Sequence, residues 1–247
     1  MHYIDDFALN VSRGLVKGTT AVHILGYNDA LDTTTDPETI WSYGGVYPWN
    51  TLTAANTVYV VSANTGDTMN VVIEGLDNNY QPQTETVVLN GTTHVATTKK
   101  FLRINDSYTY DTNPNVGEIT LKLANTSGTV IDHIPAGYGH NVAGIYTIPA
   151  NKTGYLYFGD CSSNLNKNAT IVFRGRQHNS SFQVMHIVEL TSGSYGYKFP
   201  FPSALPPKTD LEVYAVNVGD NNTRISCNFD ILLVDTPYGN NSSGYLA

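Results

Sequence analysis

Residues 69–105 alternate apolar and polar side chains, and short clusters of Asn, Asp and Gly interrupt the alternation. A period of two is typical of strands with one buried face, and such clusters mark the turns between antiparallel strands. The clearest turn is Asn90-Gly91, where we expect a type I′ hairpin because both central residues of that turn need a positive φ. This stretch therefore predicts antiparallel β-structure.

The pattern extends over residues 57–133, where short strands recur about every ten residues and predict a first β-sandwich. The alternation also indicates which side chains face its core. These are Val58, Val60, Val71, Ile73, Val87, Leu89, Leu102, Ile104, Ile119 and Leu121.

The remaining regions complete an all-β architecture. A Pro/Gly-rich stretch, residues 134–141, breaks the alternation and predicts a linker. Residues 142–236 predict a second antiparallel β-sandwich of jelly-roll type, and residues 237–247, rich in Gly, Asn and Ser, predict a flexible tail. We thus expect an extended N-terminal arm, residues 1–56, followed by two β-sandwich, jelly-roll-like units.

The arm has little periodicity apart from short strands predicted at residues 7–11 and 20–25, yet it contains both tryptophans of the chain. Leaving two indole rings in water would forfeit a large burial free energy, so the segment must pack against something. Either it wraps its own chain, or it inserts into a neighbouring subunit. Under the second alternative the interface residues are Trp41, Tyr43, Tyr47 and Trp49.

The composition of the chain limits the classes of partner that it can bind. The chain has 247 residues, a formal net charge of −8 and only 14% charged residues. Binding to phosphates needs clustered Lys and Arg, and only Arg174, Arg176 and His178 lie close together, as a solvated strand end. We expect neither a nucleic-acid partner nor a membrane partner, because no apolar run reaches the roughly 18 residues of a membrane span and the N-terminus lacks the apolar core of a signal peptide.

No segment carries a catalytic motif. A G-x-S-x-G elbow is absent, and no pair of histidines has the spacing of a metal site, although His133 and His140 are the best placed. Cys161 and Cys227 can meet only through the fold, as a disulfide or as two buried thiols.

The acidic residues offer two candidate sites, one for a calcium ion and one for glycoside hydrolysis. A loop with the acids Asp29, Asp32, Asp36 and Glu38 could supply oxygen ligands but lacks the regular spacing of a calcium loop. Two pairs have the residue type of glycosidase carboxylates but alternate along predicted strands, as outward-facing acids do. These pairs are Asp210 with Glu212 and Glu74 with Glu85. We therefore predict no enzyme activity, no cofactor and no metal.

The tyrosines indicate more about function than the histidines and the acidic residues do. Aromatic rows on one sheet face stack on sugar rings, cover a subunit interface or belong to the core. The residues that we consider for glycan or partner contact are Tyr157, Tyr195 and Tyr197.

Short segments spread over nearly the whole chain resemble those of a known group of proteins. They are NVSRG (10–14), IWSYGGVYPW (40–49), IEGLDNNY (73–80), TETV (84–87), LNGT (89–92), FLRIN (101–105), IYTIPA (145–150), KTDL (208–211), NT (222–223) and FDI (229–231). In this order they resemble a group of virion structural proteins of tailed bacteriophages, especially marine and cyanobacterial ones.

The resemblance implies a location in the virion, after assembly in the host cytoplasm. We expect a capsid auxiliary protein, of the cement or decoration kind, that forms a small symmetric oligomer, a homotrimer, and binds the major capsid protein. Two alternatives stay open, namely a tail or fibre-base accessory protein that binds tail proteins and a carbohydrate-binding adhesion module.

Overall fold

The computed structural model describes residues 6–35, 37–164, 166–191 and 193–236. It is all-β, with four antiparallel sheets that form two β-sandwiches, and this confirms the predicted fold class. In chain order the elements are α1 (Phe7–Ser12), β1 (Thr19–Leu31), β2 (Glu38–Thr39), a 3₁₀ turn (Trp49–Thr51), β3 (Asn56–Ser62), β4 (Asn70–Leu76), β5 (Pro82–Val88), β6 (Val95–Phe101), β7 (Arg103–Tyr110), β8 (Ile119–Leu123), β9 (Val130–Ile134), β10 (Ile145–Thr147), β11 (Lys152–Ser163), β12 (Asn168–Arg176), β13 (Gln183–Thr191), β14 (Ser194–Leu205), β15 (Asp210–Val218) and β16 (Thr223–Asp235).

The first sandwich pairs a sheet of order β6-β3-β8-β9 with a sheet of order β5-β4-β7. All ten residues predicted to face its core are buried. Strand β9 was not expected, because every one of its residues is buried and no alternation marks it.

The turn after β5 differs from the predicted type I′ hairpin. The amide of Thr93 donates to the carbonyl of Asn90 at 3.0 Å, so Gly91 and Thr92 are the central residues. Gly91 has a φ of +54°, whereas Asn90 is not among the residues with positive φ. A Cβ atom on Gly91 would lie 2.5 Å from the carbonyl oxygen of Thr65, so the close approach of the two backbones also requires glycine.

The second sandwich pairs a sheet of order β1-β16-β11-β14 with a sheet of order β10-β15-β12-β13, and β2 also pairs with β15. Strand β1 runs along β16 from Thr19 to Leu31. The first sandwich is therefore inserted, in sequence, between β2 and β10 of the second. Thr19–Leu31 and Glu38–Thr39 of the predicted arm are thus paired strands of this sandwich and do not form an arm separate from it.

The segment before β1 also differs from its prediction. Residues 7–11 form a helix instead of a strand, because Phe7 and Val11 have helical spacing and Asp6 caps α1 by accepting from the amide of Leu9 at 3.2 Å. The predicted linker lies against β7, where the amide of Thr109 donates to the carbonyl of Gly139 at 2.8 Å. The predicted tail, residues 237–247, lies outside the described residues. None of the described helices is long and apolar enough to span a membrane.

Candidate functional site

A buried ion network joins the two sandwiches and is centred on Asp210, at the start of β15. Arg103 of the first sandwich donates from Nε and Nη2 to the two carboxylate oxygens of Asp210 at 2.9 and 3.0 Å. Arg176 donates to the same carboxylate at 2.9 Å, and the hydroxyl of Thr147 donates to it at 2.7 Å. The side chains of Arg103 and Asp210 are each only 5% exposed. Bidentate, charge-assisted bonds of this kind fix orientation as well as distance, so the network holds the two sandwiches in one relative position.

A second ion pair lies on the same strand. Arg174 is 2.7 Å from the buried carboxylate of Glu212, which also accepts from the hydroxyl of Thr39. Burial raises the pKa of Glu212, and Arg174 opposes this rise. Burial lowers the pKa of the Arg103 guanidinium, but its bonds to Asp210 outweigh this effect and raise it.

These contacts correct two expectations. Asp210 and Glu212 are not outward-facing acids but internal partners of arginines, and neither is free to act on a substrate. Arg174 and Arg176 are not solvated, because their side chains are 20% and 24% exposed and both are paired. Glu74 and Glu85 do not form a pair either, since Glu74 lies opposite Thr84 in the β4–β5 register and Glu85 consequently points to the other face.

Three of the four predicted interface residues lie inside their own chain. Trp41, Tyr47 and Trp49 are 2%, 2% and 6% exposed, and their rings pack edge to face with centroid distances of 5.1 and 4.7 Å between successive members. The hydroxyl of Tyr47 donates to the carbonyl of Ile131 in β9 at 2.9 Å. The ring of Trp49 reaches Phe182 of the second sandwich at 5.7 Å. The segment after β2 thus wraps its own chain and fills the core between the sandwiches.

Tyr43 is the member of this group that stays accessible, with 50% exposure. An interface role for this segment remains a prediction, and only Tyr43 can take part in it without leaving the core.

The three tyrosines considered for glycan contact do not form one row. Tyr195 and Tyr197 lie on the inner face of β14, with centroid distances of 6.0 and 5.5 Å to the ring of His186 in β13. Tyr157 lies elsewhere, beside Lys198, whose ammonium is 4.8 Å from its ring centroid. Tyr195 and Tyr197 are 39% and 38% exposed and remain candidates for a small ligand at the open seam between β13 and β14.

Cys161 and Cys227 meet behind this seam. They lie directly opposite each other in the register of β11 and β16, and both are buried free thiols. Burial raises the pKa of the Cys227 thiol well above its ordinary value, which keeps it protonated and unreactive.

The fold also assembles a serine, a histidine and a carboxylate that sequence reasoning did not connect. The hydroxyl of Ser42 is 2.7 Å from Nδ1 of His133, and Nε2 of His133 is 3.3 Å from Glu118. Since a carboxylate can only accept, Nε2 carries the proton and Nδ1 accepts from Ser42. Burial lowers the pKa of His133 and keeps the ring neutral, although the bond to Glu118 opposes this.

The described amides that follow Ser42 in sequence do not offer this group a ready oxyanion hole. The nearby amides of Gly44 and Gly45 already donate to the carbonyl of Trp41 at 3.3 Å and to the carboxylate of Glu38 at 2.7 Å. Acyl transfer needs free donors aimed at the developing oxyanion. The arrangement therefore anchors the loop after β2 to β8 and β9.

Of the histidines that the structure describes, His140 has the most strongly shifted pKa. Its Nε2 is 3.1 Å from Asp106, its ring stacks on Tyr108, and its Nδ1 is 2.6 Å from the carbonyl of Asn141. The bond to Asp106 raises the pKa of His140 to about 9, and partial burial opposes the rise. Close by, burial raises the pKa of Asp132 to about 6, against the bonds from Ser107 and Asn141.

The raised pKa of His140 predicts a pH-dependent stability. A group whose pKa is higher in the folded state contributes fully below its unfolded pKa, and the contribution is lost as pH rises through the folded pKa. We expect the free energy of unfolding to fall by about 1 kcal/mol between pH 6.5 and 9. This is less than the full pKa shift implies, because the His140 side chain is 52% exposed and solvent screens its interaction with Asp106. Urea unfolding across this range should show the fall in the wild type and a flatter profile in His140→Gln. An equal slope in both proteins would contradict the assignment.

Among the described residues, no group of three or more His, Cys, Asp or Glu side chains is placed to hold a metal ion. In the predicted acidic loop, Glu38 points inward and Asp32 accepts from the amide of Asn222 at 2.7 Å. Asp36 lies outside the described residues.

No family model matches this chain, and no curated protein matches it. Among solved structures, PBSX exported protein XepA is 7% identical, with 85% of this chain and 84% of that chain covered and a TM-score of 0.21. A structure of the infectious bursal disease virus Gt strain is 10% identical (89% and 73% covered, TM-score 0.25), and the VP2 subviral particle of that virus is 10% identical (91% and 74% covered, TM-score 0.24). At these TM-scores the similarities carry no argument about function.

Proposed function

We propose that this protein is a non-enzymatic structural component of a virion, and specifically an auxiliary protein of the cement or decoration kind that binds a capsid lattice. The observation that carries the proposal is the number of large apolar side chains left in solvent on a body with few charged residues. They include Phe7, Leu9, Leu15, Tyr43, Val46, Val184, Ile187 and Phe201. Interfaces are depleted in charged residues and enriched in aromatic ones, so a surface with few charges and several exposed rings fits a protein that is covered by neighbours.

The polar chemistry of the chain supports the same proposal. Three of its buried charged side chains, those of Arg103, Asp210 and Glu212, pair with one another or with Arg174 and Arg176. They stabilise the body of the protein and are not aimed into a substrate cleft. A protein that must keep its shape under load gains from such fixed internal contacts.

The two alternatives predicted from the sequence, a tail or fibre-base accessory protein and a carbohydrate-binding module, remain proposals. A tail or fibre-base accessory protein would use the same exposed surfaces on tail proteins. The adhesion alternative is favoured by one observation, the half-exposed Tyr195 and Tyr197 at the open seam, since tyrosine rings at a sheet edge stack on sugars. The homotrimer expected from the sequence stays a prediction.

Cryo-electron microscopy of virions whose genome encodes this chain tests the proposal. We expect density for two linked β-sandwiches repeated over the capsid lattice. Density confined to the tail would overturn the cement role in favour of the accessory role. Absence of the chain from purified virions, checked by mass spectrometry, would contradict a structural function altogether.

Deleting residues 1–50 is not a suitable test of the N-terminal segment. The deletion removes β1 and β2, which are paired strands of the second sandwich. Loss of particle binding would then report unfolding instead of a lost contact, so single substitutions are required.

A further inference from the structure

Cys161 and Cys227 are the two thiols of the chain, and the second sandwich holds them in contact. Cys161 in β11 lies directly opposite Cys227 in β16, and the two side chains are within hydrogen-bonding distance. Facing Cα atoms of an antiparallel pair are about 4.5 or 5.5 Å apart, and disulfides span Cα distances of roughly 4.4–6.8 Å. The register therefore allows the two sulfurs to bond without a shift of either strand.

A small cavity reaches these thiols from the edge of the sandwich. It lies between β13 and β14, which are edge strands of the two facing sheets. Both cysteines line it. Tyr195 and Tyr197 line it as well, and their partial exposure shows that the cavity borders solvent. A small molecule in solution thus has a route to two sulfurs that the core otherwise encloses.

The size of the cavity and its polar groups indicate which molecule it takes. Its volume is about 40 Å³. A water-sized atom needs roughly 10–15 Å³, so about two or three such atoms fit. His186 also lines the cavity, and its Nε2 is buried without a hydrogen-bond partner among the described residues. A buried polar atom of this kind favours a ligand that can hydrogen-bond to it. Hydrogen peroxide, with two polar atoms, meets both requirements.

The two thiols differ in access, which assigns them different steps. Cys161 is 8% exposed, whereas Cys227 is 0% exposed. Burial also raises the pKa of the Cys227 thiol, so this sulfur stays protonated and does not attack an oxidant itself. A peroxide in the cavity therefore reacts first with Cys161. Cys227 lies in contact with the product, and this proximity compensates for the weak nucleophilicity of a protonated thiol.

We propose that Cys161 and Cys227 form an oxidation site that hydrogen peroxide converts into a cross-strand disulfide, which stabilises the second sandwich. The sulfur of Cys161 bonds to one peroxide oxygen, the O–O bond breaks, and the other hydroxyl leaves as water with the thiol proton. The sulfur of Cys227 then bonds to the sulfur of this sulfenic acid, the S–O bond breaks, and a second water leaves with the Cys227 proton. Two thiols are oxidised and one peroxide is reduced to two waters. The chemistry does not depend on the virion role proposed above.

The disulfide should raise the thermal stability of the protein. It joins two neighbouring strands of the sheet β1-β16-β11-β14, and Cys227 follows Cys161 by 66 residues. Closing a loop of this length restricts the unfolded chain. We expect a Tm roughly 5–10 °C higher in oxidised than in reduced protein, and reversal by dithiothreitol. An unchanged or lower Tm in protein with a verified disulfide would overturn the proposed stabilisation.

Oxidation of the folded full chain by hydrogen peroxide tests the site. Remaining thiols are alkylated after denaturation, and linked peptides are identified by mass spectrometry with and without reduction. We expect Cys161 and Cys227 to be linked within one chain. Cys227→Ser should stop at a sulfenic acid on Cys161, which dimedone traps, whereas Cys161→Ser should leave Cys227 as a thiol. Wild-type thiols that stay free under conditions that oxidise the urea-unfolded chain, or rapid oxidation of Cys227 in Cys161→Ser, would overturn the proposal.

The size of the oxidant tests whether the cavity is the route. tert-Butyl hydroperoxide has the same O–O bond but is too large for a cavity of about 40 Å³. Relative to hydrogen peroxide, we expect it to link the folded thiols about tenfold more slowly than it links the thiols of the urea-unfolded chain. His186→Leu, which removes the unpaired nitrogen, should also slow the reaction of the folded chain with hydrogen peroxide. Equal selectivity in the folded and unfolded chains, or an unchanged rate in His186→Leu, would overturn the assignment of this cavity.

Discussion

Asp210→Asn is expected to lower the free energy of unfolding by about 3–5 kcal/mol. The substitution keeps the size of the side chain but removes the charge that Arg103 and Arg176 share. Arg103 is buried between the sandwiches, where water cannot replace its lost partner, and an uncompensated buried charge is what makes such losses large. Urea unfolding monitored by tryptophan fluorescence measures the change, because Trp49 lies 5.4 Å from the Arg103 guanidinium.

Asp220→Asn is the matched control, with the same chemical change at an exposed ion pair. Asp220 is 3.7 Å from Lys167, and its side chain is 58% exposed. Solvent screens such a pair, so its loss should cost less than about 1 kcal/mol. Similar losses from both substitutions would show that the network around Asp210 contributes no more than a surface pair. Two separate transitions in Asp210→Asn would show that the network couples the sandwiches.

The alternating strands were predictable because each carries its own pattern. The core positions of β3, β4 and β8 follow from period two, and β11 and β15 follow from the Pro and turn residues ahead of each alternating run. Where a segment is buried on both faces, as β9 is, the pattern disappears and the strand is missed. In β1, Asn28 and Asp29 broke the apparent alternation, although Asn28 is buried and bonds Glu38 at 3.3 Å.

The ion network was not predictable from local patterns. Arg103 and Asp210 are 107 residues apart, and their contact depends on how one sandwich packs against the other. Alternation assigns a residue to one face of its own sheet, but it does not say whether that face meets solvent or a second sandwich. Ser42 and His133, 91 residues apart, were missed for the same reason. One signal was present: in a chain with few charges, acids and arginines within strands are candidates for mutual pairing.

Trp41→Ala and Tyr43→Ala should differ strongly in their effect on stability, although the two aromatic residues are nearly adjacent in sequence. Trp41 is 2% exposed, packs edge to face on Tyr47 and donates from its indole to the carbonyl of Gly45 at 3.0 Å. Its removal leaves a large cavity, so we expect a loss of about 3–5 kcal/mol in the free energy of unfolding. Tyr43 is half exposed and touches the rings of Trp41 and His133 only edge-on, so its removal should cost about 0.5–1.5 kcal/mol. Urea unfolding of the isolated protein measures both changes.

The same pair separates a structural role from an interface role in the segment after β2. If Tyr43 contacts a neighbouring subunit, Tyr43→Ala will fold normally and yet bind particles that lack the protein at least tenfold more weakly, as measured by co-sedimentation. Trp41→Ala, assayed at a temperature where it remains folded, will bind more strongly than Tyr43→Ala, because a buried ring offers nothing to a partner. Wild-type binding by Tyr43→Ala would remove the last accessible member of the predicted aromatic interface, and particle contacts would then have to be sought on the other exposed apolar residues, Leu15, Val184 and Ile187 among them.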